Sequence, residues 1–165
     1  MDSHTFLETY RLVEEDAGEE CIATFIYSKL HIRSSENEVI ICFTEVINEI
    51  AITGVCFKNH RKGYLTRLIS LLKDYGRANN YKVIKLESCN EKAANYAKKH
   101  GFIQALYEYD YYAPVIEGTK LPNLIYYNSA ITVMNEYASK FNLNHREVWD
   151  VFEESIKMGR NENNN

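Results

Sequence analysis

None of the four cysteines (Cys21, Cys42, Cys56, Cys89) stands in a C-x-x-C pair, and the histidines are scattered. The sequence therefore shows neither the ligand spacing of a zinc site nor a disulfide framework. The cysteines read as small buried hydrophobes of a protein kept in a reducing compartment. There is no excess of positive charge: 19 Lys and Arg face 23 Asp and Glu, for a net charge of -4. That balance argues against bulk electrostatic binding to DNA or membranes and leaves only local basic patches. No apolar run approaches bilayer length, and no basic segment followed by an apolar one opens the chain. A cytoplasmic protein without a membrane span is the expectation.

What is present suffices for a core. At 165 residues and 45% hydrophobic, the chain can bury one domain and carry an appendage. Its centre is residues 48–104. A strand over 49–57 runs into the basic turn Lys58-Asn59-His60-Arg61-Lys62-Gly63, and an amphipathic helix follows over 64–77 with Leu65, Leu68, Leu72 and Tyr75 on one face. A buried strand over 82–87 leads to a helix over 90–100, opened by Asn90 as N-cap and closed by Gly101. A strand feeding a helix through a glycine turn aims the helix's free N–H groups at an anion beyond the strand end, and phosphate is the usual occupant. The plainer account of Lys58, His60, Arg61 and Lys62 is a solvated turn.

In chain order, Phe6, Tyr10 and Leu12 alternate, which predicts a strand over 5–13. Asp16-Ala17-Gly18-Glu19 resembles a capping box, and Ile22, Phe25 and Ile26 recur at helical spacing behind it, predicting a helix over 17–28. An extended piece over 30–33, a turn over 34–37 and an apolar strand over 39–44, covered on both faces, come next. Further strands are predicted at 102–109 and 124–127, with a tyrosine-bearing loop between them. Tyr107, Tyr109, Tyr111 and Tyr112 line an acceptor cleft, mark an exposed protein-binding surface, or are half core. From 129 the pattern becomes a helical hairpin, 130–141 and 144–157, and 161–165 is a polar tail. The second helix carries Glu147, Asp150, Glu153 and Glu154, the wrong sign for reading DNA. The hairpin suits a homodimer element, a cap on the sheet edge, or a docking site for a basic protein. The expected architecture is a mixed α/β domain over 1–128 with a C-terminal helical hairpin over 129–160.

At this point the residues carry a resemblance. From about residue 10 to 127, and most strongly over 49–102, the chain resembles the GNAT superfamily of N-acetyltransferases. In that family a valine-like residue ending the fourth strand is followed, after four residues, by Arg or Gln-x-x-Gly-x-Gly or Ala at a helix start. Here Val55 leads without a gap to His60-Arg61-Lys62-Gly63-Tyr64-Leu65. The family's later Asn-x-x-Ala, Tyr and Gly-Phe pattern falls on Asn90-Glu91-Lys92-Ala93, Ala97 and Gly101-Phe102. The resemblance implies a mixed, mostly antiparallel sheet with helices on both faces, whose fourth and fifth strands splay around acetyl-coenzyme A. Val55, Phe57, His60, Arg61, Lys62, Gly63, Tyr64, Leu65 and Asn90 then fall at the cofactor. Glu49, six residues before Val55, falls where histone-type members place the base that deprotonates the acceptor amine.

Three positions depart from the pattern. His60 replaces Arg or Gln, Leu65 replaces the Gly or Ala that lets backbone approach the pyrophosphate, and Ala97 replaces the tyrosine that protonates the departing thiolate. Tyr96 is the neighbouring candidate for that role, about 100° round the helix. Read without the family, Glu49 is a strand-end carboxylate in water and Asn90 is a helix N-cap. The resemblance implies acetyl transfer to an amine, or alternatively an acetyltransferase-like fold with impaired chemistry that binds a macromolecule. A small, Asn- and Tyr-rich chain with an acidic hairpin suits a viral effector acting on host transcription machinery.

Overall fold

The computed structural model describes residues 1–105 and 109–119. The expected strand at 124–127, the hairpin over 129–160, the tail, the domain boundary and Tyr107 lie outside the described residues. Within them the order is α1 (Ser3–Ala17), β1 (Ile22–Ile26), β2 (Lys29–Arg33), β3 (Glu38–Thr44), a single 3-10 turn (Glu45–Ile47) and β4 (Glu49–Cys56). There follow α2 (Tyr64–Ala78), β5 (Val83–Leu86), α3 (Glu91–Lys99), β6 (Ile103–Gln104) and β7 (Tyr111–Pro114). The strands make one sheet in the order β1-β2-β3-β4-β5-β7-β6. Every pairing is antiparallel except β4 with β5. The mixed, mostly antiparallel sheet is therefore present. No helix among the described residues is long and apolar enough to cross a membrane.

The first elements differ from expectation. Residues 5–13 are helical, not extended, and 22–26 are extended, not helical. Asp2 caps α1 by accepting the Thr5 N–H at 2.8 Å, and the buried positions Thr5, Thr9, Leu12, Val13, Asp16 and Ala17 recur at three- and four-residue spacing. Two threonines pave that face, so a count of hydrophobes misses its period. The Thr9 hydroxyl is satisfied locally by the Thr5 carbonyl at 2.7 Å. Gly18, in the left-handed conformation, closes α1 by donating its N–H to the Glu14 carbonyl. The supposed capping box is thus a helix end. The helical spacing of Ile22, Phe25 and Ile26 is incidental: they are β-branched and aromatic residues, 46–61% exposed on an edge strand.

β7 is the second correction. Tyr111 and Tyr112, assigned to a loop, are paired with β5 and each only 1% exposed. Of the expected strand over 102–109, only Ile103–Gln104 is strand among the described residues. β3 alternates between buried Val39, Ile41 and Phe43 and half-buried Ile40 and Cys42, so its two faces are not equally covered.

Register sorts the sheet into two faces. Leu30, Ile41, Ile52 and Leu86 align across β2 to β5, as do Phe43, Ile50 and Ile84. This apolar face meets α2, whose Tyr75 ring stands edge-on to Phe43 at 5.6 Å. The approach is close: a Cβ on Gly76 would sit 3.0 Å from Val115. Side chains alternate along a strand, so the other face carries Glu49, Ala51, Lys85 and Tyr112.

One irregularity positions everything that follows. Ile41 pairs with Ile52 but Ile40 with Gly54, leaving Thr53 as an extra residue in β4. Such a bulge bends its strand. β5 keeps pace with β4 only from Glu49↔Val83 to Ile52↔Leu86, with a last bond from the Glu87 N–H to the Ile52 carbonyl. Beyond it Thr53 to Cys56 have no partner strand on the β5 side among the described residues.

The end of β4 is held from below by Asp16, 2% exposed at the end of α1. Its carboxylate accepts the Asn59 N–H at 3.1 Å and the Asn37 side-chain amide at 2.8 Å. Asn37 in turn accepts the Lys58 N–H at 2.9 Å, and the Asn59 amide donates to the Asp16 carbonyl at 3.0 Å. Replacing Asp16 by Ala takes the acceptor from the buried Asn37 amide and from the part-buried Asn59 N–H, so Asp16→Ala should lose about 2–4 kcal/mol of unfolding free energy. Urea denaturation measures it, and a loss below about 0.5 kcal/mol would show the network to be dispensable.

Candidate active site

After β4 the chain makes a turn whose base is fixed and whose rim is free. Phe57 is buried with its ring 5.6 Å from that of Tyr64, so it contributes packing and backbone at this point. Lys58 and Asn59 are pinned by the Asp16 network. Arg61 (φ 63°) and Gly63 (φ 83°) then take left-handed conformations. Backbone of that kind directs successive N–H groups into one concavity. α2 starts on Gly63 with no side-chain cap, and the N–H groups of Gly63, Tyr64, Leu65 and Thr66 have no acceptor among the described residues. Free N–H groups at the positive end of a 15-residue helix form an anion site.

The charges around the turn divide into two groups. Lys58 is engaged by Glu36 at 2.7 Å and Arg67 by Glu15 through two bonds of 2.9 Å, so both serve the scaffold. Arg61 and Lys62 are exposed and make no ion pair among the described residues. Lys92 Nζ lies 3.4 Å from His60 Nε2, which brings the first turn of α3 beside the same loop. Asn90 caps α3 by accepting the Ala93 N–H at 3.0 Å, so its side-chain oxygen is occupied by the backbone. Tyr64 and Leu65 are half-buried and pack against the core. Leu65 thus anchors the helix start, while Val55, paired with Val39 of β3, lies past the end of the β5 ladder.

Tyr96 sits where α3 meets α2. Its ring stacks on His100 at 4.1 Å, and burial pushes its phenol up while the nearby Thr66 side chain pulls the other way. Ala97, beside it, is fully buried. The turn of the helix that separates the two side chains therefore points Tyr96 at the first turn of α2.

Glu49 opens β4 on the face away from α2. It is 8% exposed and has no hydrogen bond or ion pair among the described residues. Burial pushes its carboxyl up to about 7; the Lys85 ammonium pulls the other way, and Glu87 and Asp110 push further up. Lys85, paired with Ala51 across the parallel strands, lies on the same face. Its Nζ is 2.8 Å from Glu87 and 3.0 Å from Asp110. Sequence reasoning does not single out Lys85, Glu87 or Asp110. The available signal was a lysine in the middle of the apolar strand Val83-Ile84-Lys85-Leu86.

No family model matches the chain, and no curated protein is similar to it in sequence. Solved structures are. The structure of Tetrahymena GCN5 is 10% identical, covers 70% of this chain and 89% of its own, and superposes with a TM-score of 0.45. Ard1 from Thermoplasma volcanium is 16% identical, with 71% and 95% covered and a TM-score of 0.40. Nourseothricin acetyltransferase is 15% identical, with 53% and 65% covered and a TM-score of 0.41. These are distant likenesses, and the chemistry of the site has to be read from its own residues.

The burial of Glu49 has a consequence for stability. Its pKa is raised in the folded state from 4.5 to about 7. Below about pH 4.5 both states hold the proton and the contribution is whole; as pH rises through 7 the unfolded chain gives up the proton more readily and the contribution is lost. Glu49→Gln should therefore gain on wild type by about 3 kcal/mol between pH 4 and pH 8. Urea midpoints at the two pH values measure it, and parallel pH curves would show that Glu49 titrates as an exposed acid.

Proposed function

We propose that this chain is a GNAT-type N-acetyltransferase that passes acetyl from acetyl-coenzyme A directly to an amine. One observation carries the reading: β4 begins at a buried carboxylate and ends, past its bulge, at a glycine turn, and among the described residues the carboxylate has no hydrogen-bond or ion-pair partner and the turn's N–H groups no acceptor. A nucleotide cosubstrate held by its phosphates at the turn and laid along the free edge of β4 has its far end directed toward Glu49. Six residues of strand separate Val55 from Glu49, about 20 Å.

The residues present fit that cosubstrate. The N–H groups of Gly63 to Thr66 meet the pyrophosphate, with Arg61 and Lys62 adding charge and His60 and Lys92 flanking it. Leu65 leaves the approach open because its side chain packs on the core. Thr53 to Cys56 offer backbone groups to an extended arm, as a sheet edge does to an added strand. Acetyl-coenzyme A supplies, when bound, the activated carbonyl that the amine attacks.

Glu49 takes the proton. An ammonium has no lone pair, so the acceptor must be deprotonated, and a carboxylate poised near 7 is suited to that task at neutral pH. Tyr96 keeps its own proton through the neutral range, because burial raises its phenol, and it is the donor assigned to the departing thiolate.

Turnover and binding separate these roles. In a thiol-release assay over a panel of amines, Glu49→Gln should lower kcat at least ~100-fold while leaving acetyl-coenzyme A affinity within about twofold. Gly63→Asp should abolish binding. Gly63→Asn, which has the same shape and tolerates the left-handed backbone without adding charge, should retain it within about an order of magnitude. Equal binding by the two Gly63 variants would remove the anion from the turn, and unchanged turnover in Glu49→Gln would remove Glu49 from the reaction.

A further inference from the structure

We infer that Lys85 is a positioning residue for acetyl transfer: by neutralising Glu87 and Asp110 it leaves Glu49, on the same face of the sheet, able to part with its proton. The inference rests on the reading of Glu49 as the base. Lysines are seldom buried without a reason, and the Lys85 side chain is only 12% exposed. Its two strand neighbours, Ile84 and Leu86, face the apolar side. Its Nζ bridges the Glu87 carboxylate at 2.8 Å and the Asp110 carboxylate at 3.0 Å, and it stands 5.6 Å over the Tyr112 ring. Asp110 is itself fixed, since its other oxygen accepts the Ser88 N–H at 2.8 Å. The ammonium therefore has one well-determined place.

The surroundings of Glu49 show what that place does. From β3 the residue opposite is Thr44, which is uncharged. From β5 come Val83 opposite, then Lys85 and, past the strand end, Glu87. Asp110 arrives from the turn before β7, and Tyr112 and Pro114 arrive from β7 itself. Among the described residues this is one cation among three carboxylates. Burial is what chiefly holds the Glu49 carboxyl up, and the charges act on top of it: Lys85 pulls it down where Glu87 and Asp110 push it up. Lys85 is no proton acceptor in its own right. Burial works against its charge, but its two carboxylate partners outweigh burial and hold its pKa above the ordinary lysine value. The acceptor's proton goes to Glu49 and then to solvent, and Lys85 stays charged throughout.

The test follows the Glu49 carboxyl carbon by NMR across pH in wild type, Lys85→Met, Lys85→Arg and Glu87→Gln, beside the pH dependence of kcat/KM. Lys85→Met should raise the Glu49 midpoint by about one pH unit or more. The acid limb of kcat/KM should move with it, the KM for acetyl-coenzyme A should stay within about twofold, and Lys85→Arg should restore both profiles. Glu87→Gln, at a half-exposed position that tolerates change, should lower the midpoint, and it decides the matter alone if Lys85→Met fails to fold. Midpoints unmoved in both variants, with wild-type turnover intact, would overturn the role of Lys85 and leave Glu49 as the base. Midpoints that move in a protein that acetylates no amine would overturn the acetyl-transfer reading, and with it the part Lys85 plays.

Discussion

The structure depends on the place where β4 and β5 part. These two strands are parallel, joined through α2, and their ladder lasts from Glu49↔Val83 to Ile52↔Leu86 before the bulge at Thr53 turns β4 away. Above the parting, the shared ladder sets Lys85 and Glu49 on one face. Below it, β4 runs on with its β5-side edge unpaired among the described residues and delivers the chain to the glycine turn and α2. A straight, fully paired β4 would close the edge and leave the turn no cleft to face. Gly54 belongs to this arrangement, since a Cβ there would stand 2.9 Å from the tip of Ile40.

Charge is distributed so that the scaffold and the site draw on different residues. Arg67–Glu15 and Lys58–Glu36 are exposed pairs, each worth little in water. They remove two cations from the neighbourhood of the turn, which leaves Arg61 and Lys62, with Lys92 from α3, as its available positive charge among the described residues. The Asp16 carboxylate is different in kind: it is buried, accepts from two segments and holds the turn's base to α1 and to the β2–β3 connection. Rigid below and unsatisfied above, the turn is preorganised for an anion. The surroundings of Glu49 show the same economy among the described residues, with Lys85 set between the Glu87 and Asp110 carboxylates.

Much of this was legible in the chain. Strand, glycine turn, helix, strand and helix from Glu49 to Lys99 carry clean periodicity, a glycine at the end of the turn and an Asn90 cap, and each of those elements is where the spacing puts it. The N-terminal 26 residues were misread for a physical reason. Thr5, Thr9 and Asp16 occupy buried helical positions that an apolar pattern skips, whereas exposed Ile22, Phe25 and Ile26 imitate a helical stripe on an edge strand. Local sequence cannot register a burial that is granted by partners far along the chain. Tyr111 and Tyr112 were obscured in the same way, since only pairing with β5 makes them core. The Lys85 cluster needs three segments to meet, and no single one of them announces it.

The central claim is that the parted strands and their turn hold acetyl-coenzyme A. Isothermal calorimetry of the unmodified protein with acetyl-coenzyme A, beside ADP and desulfo-coenzyme A, tests it most directly. The account predicts micromolar affinity for the full cosubstrate, about 8 kcal/mol of binding free energy, and weaker binding of ADP, which lacks the arm. No heat at any concentration, together with no thermal shift at millimolar ligand, would contradict it.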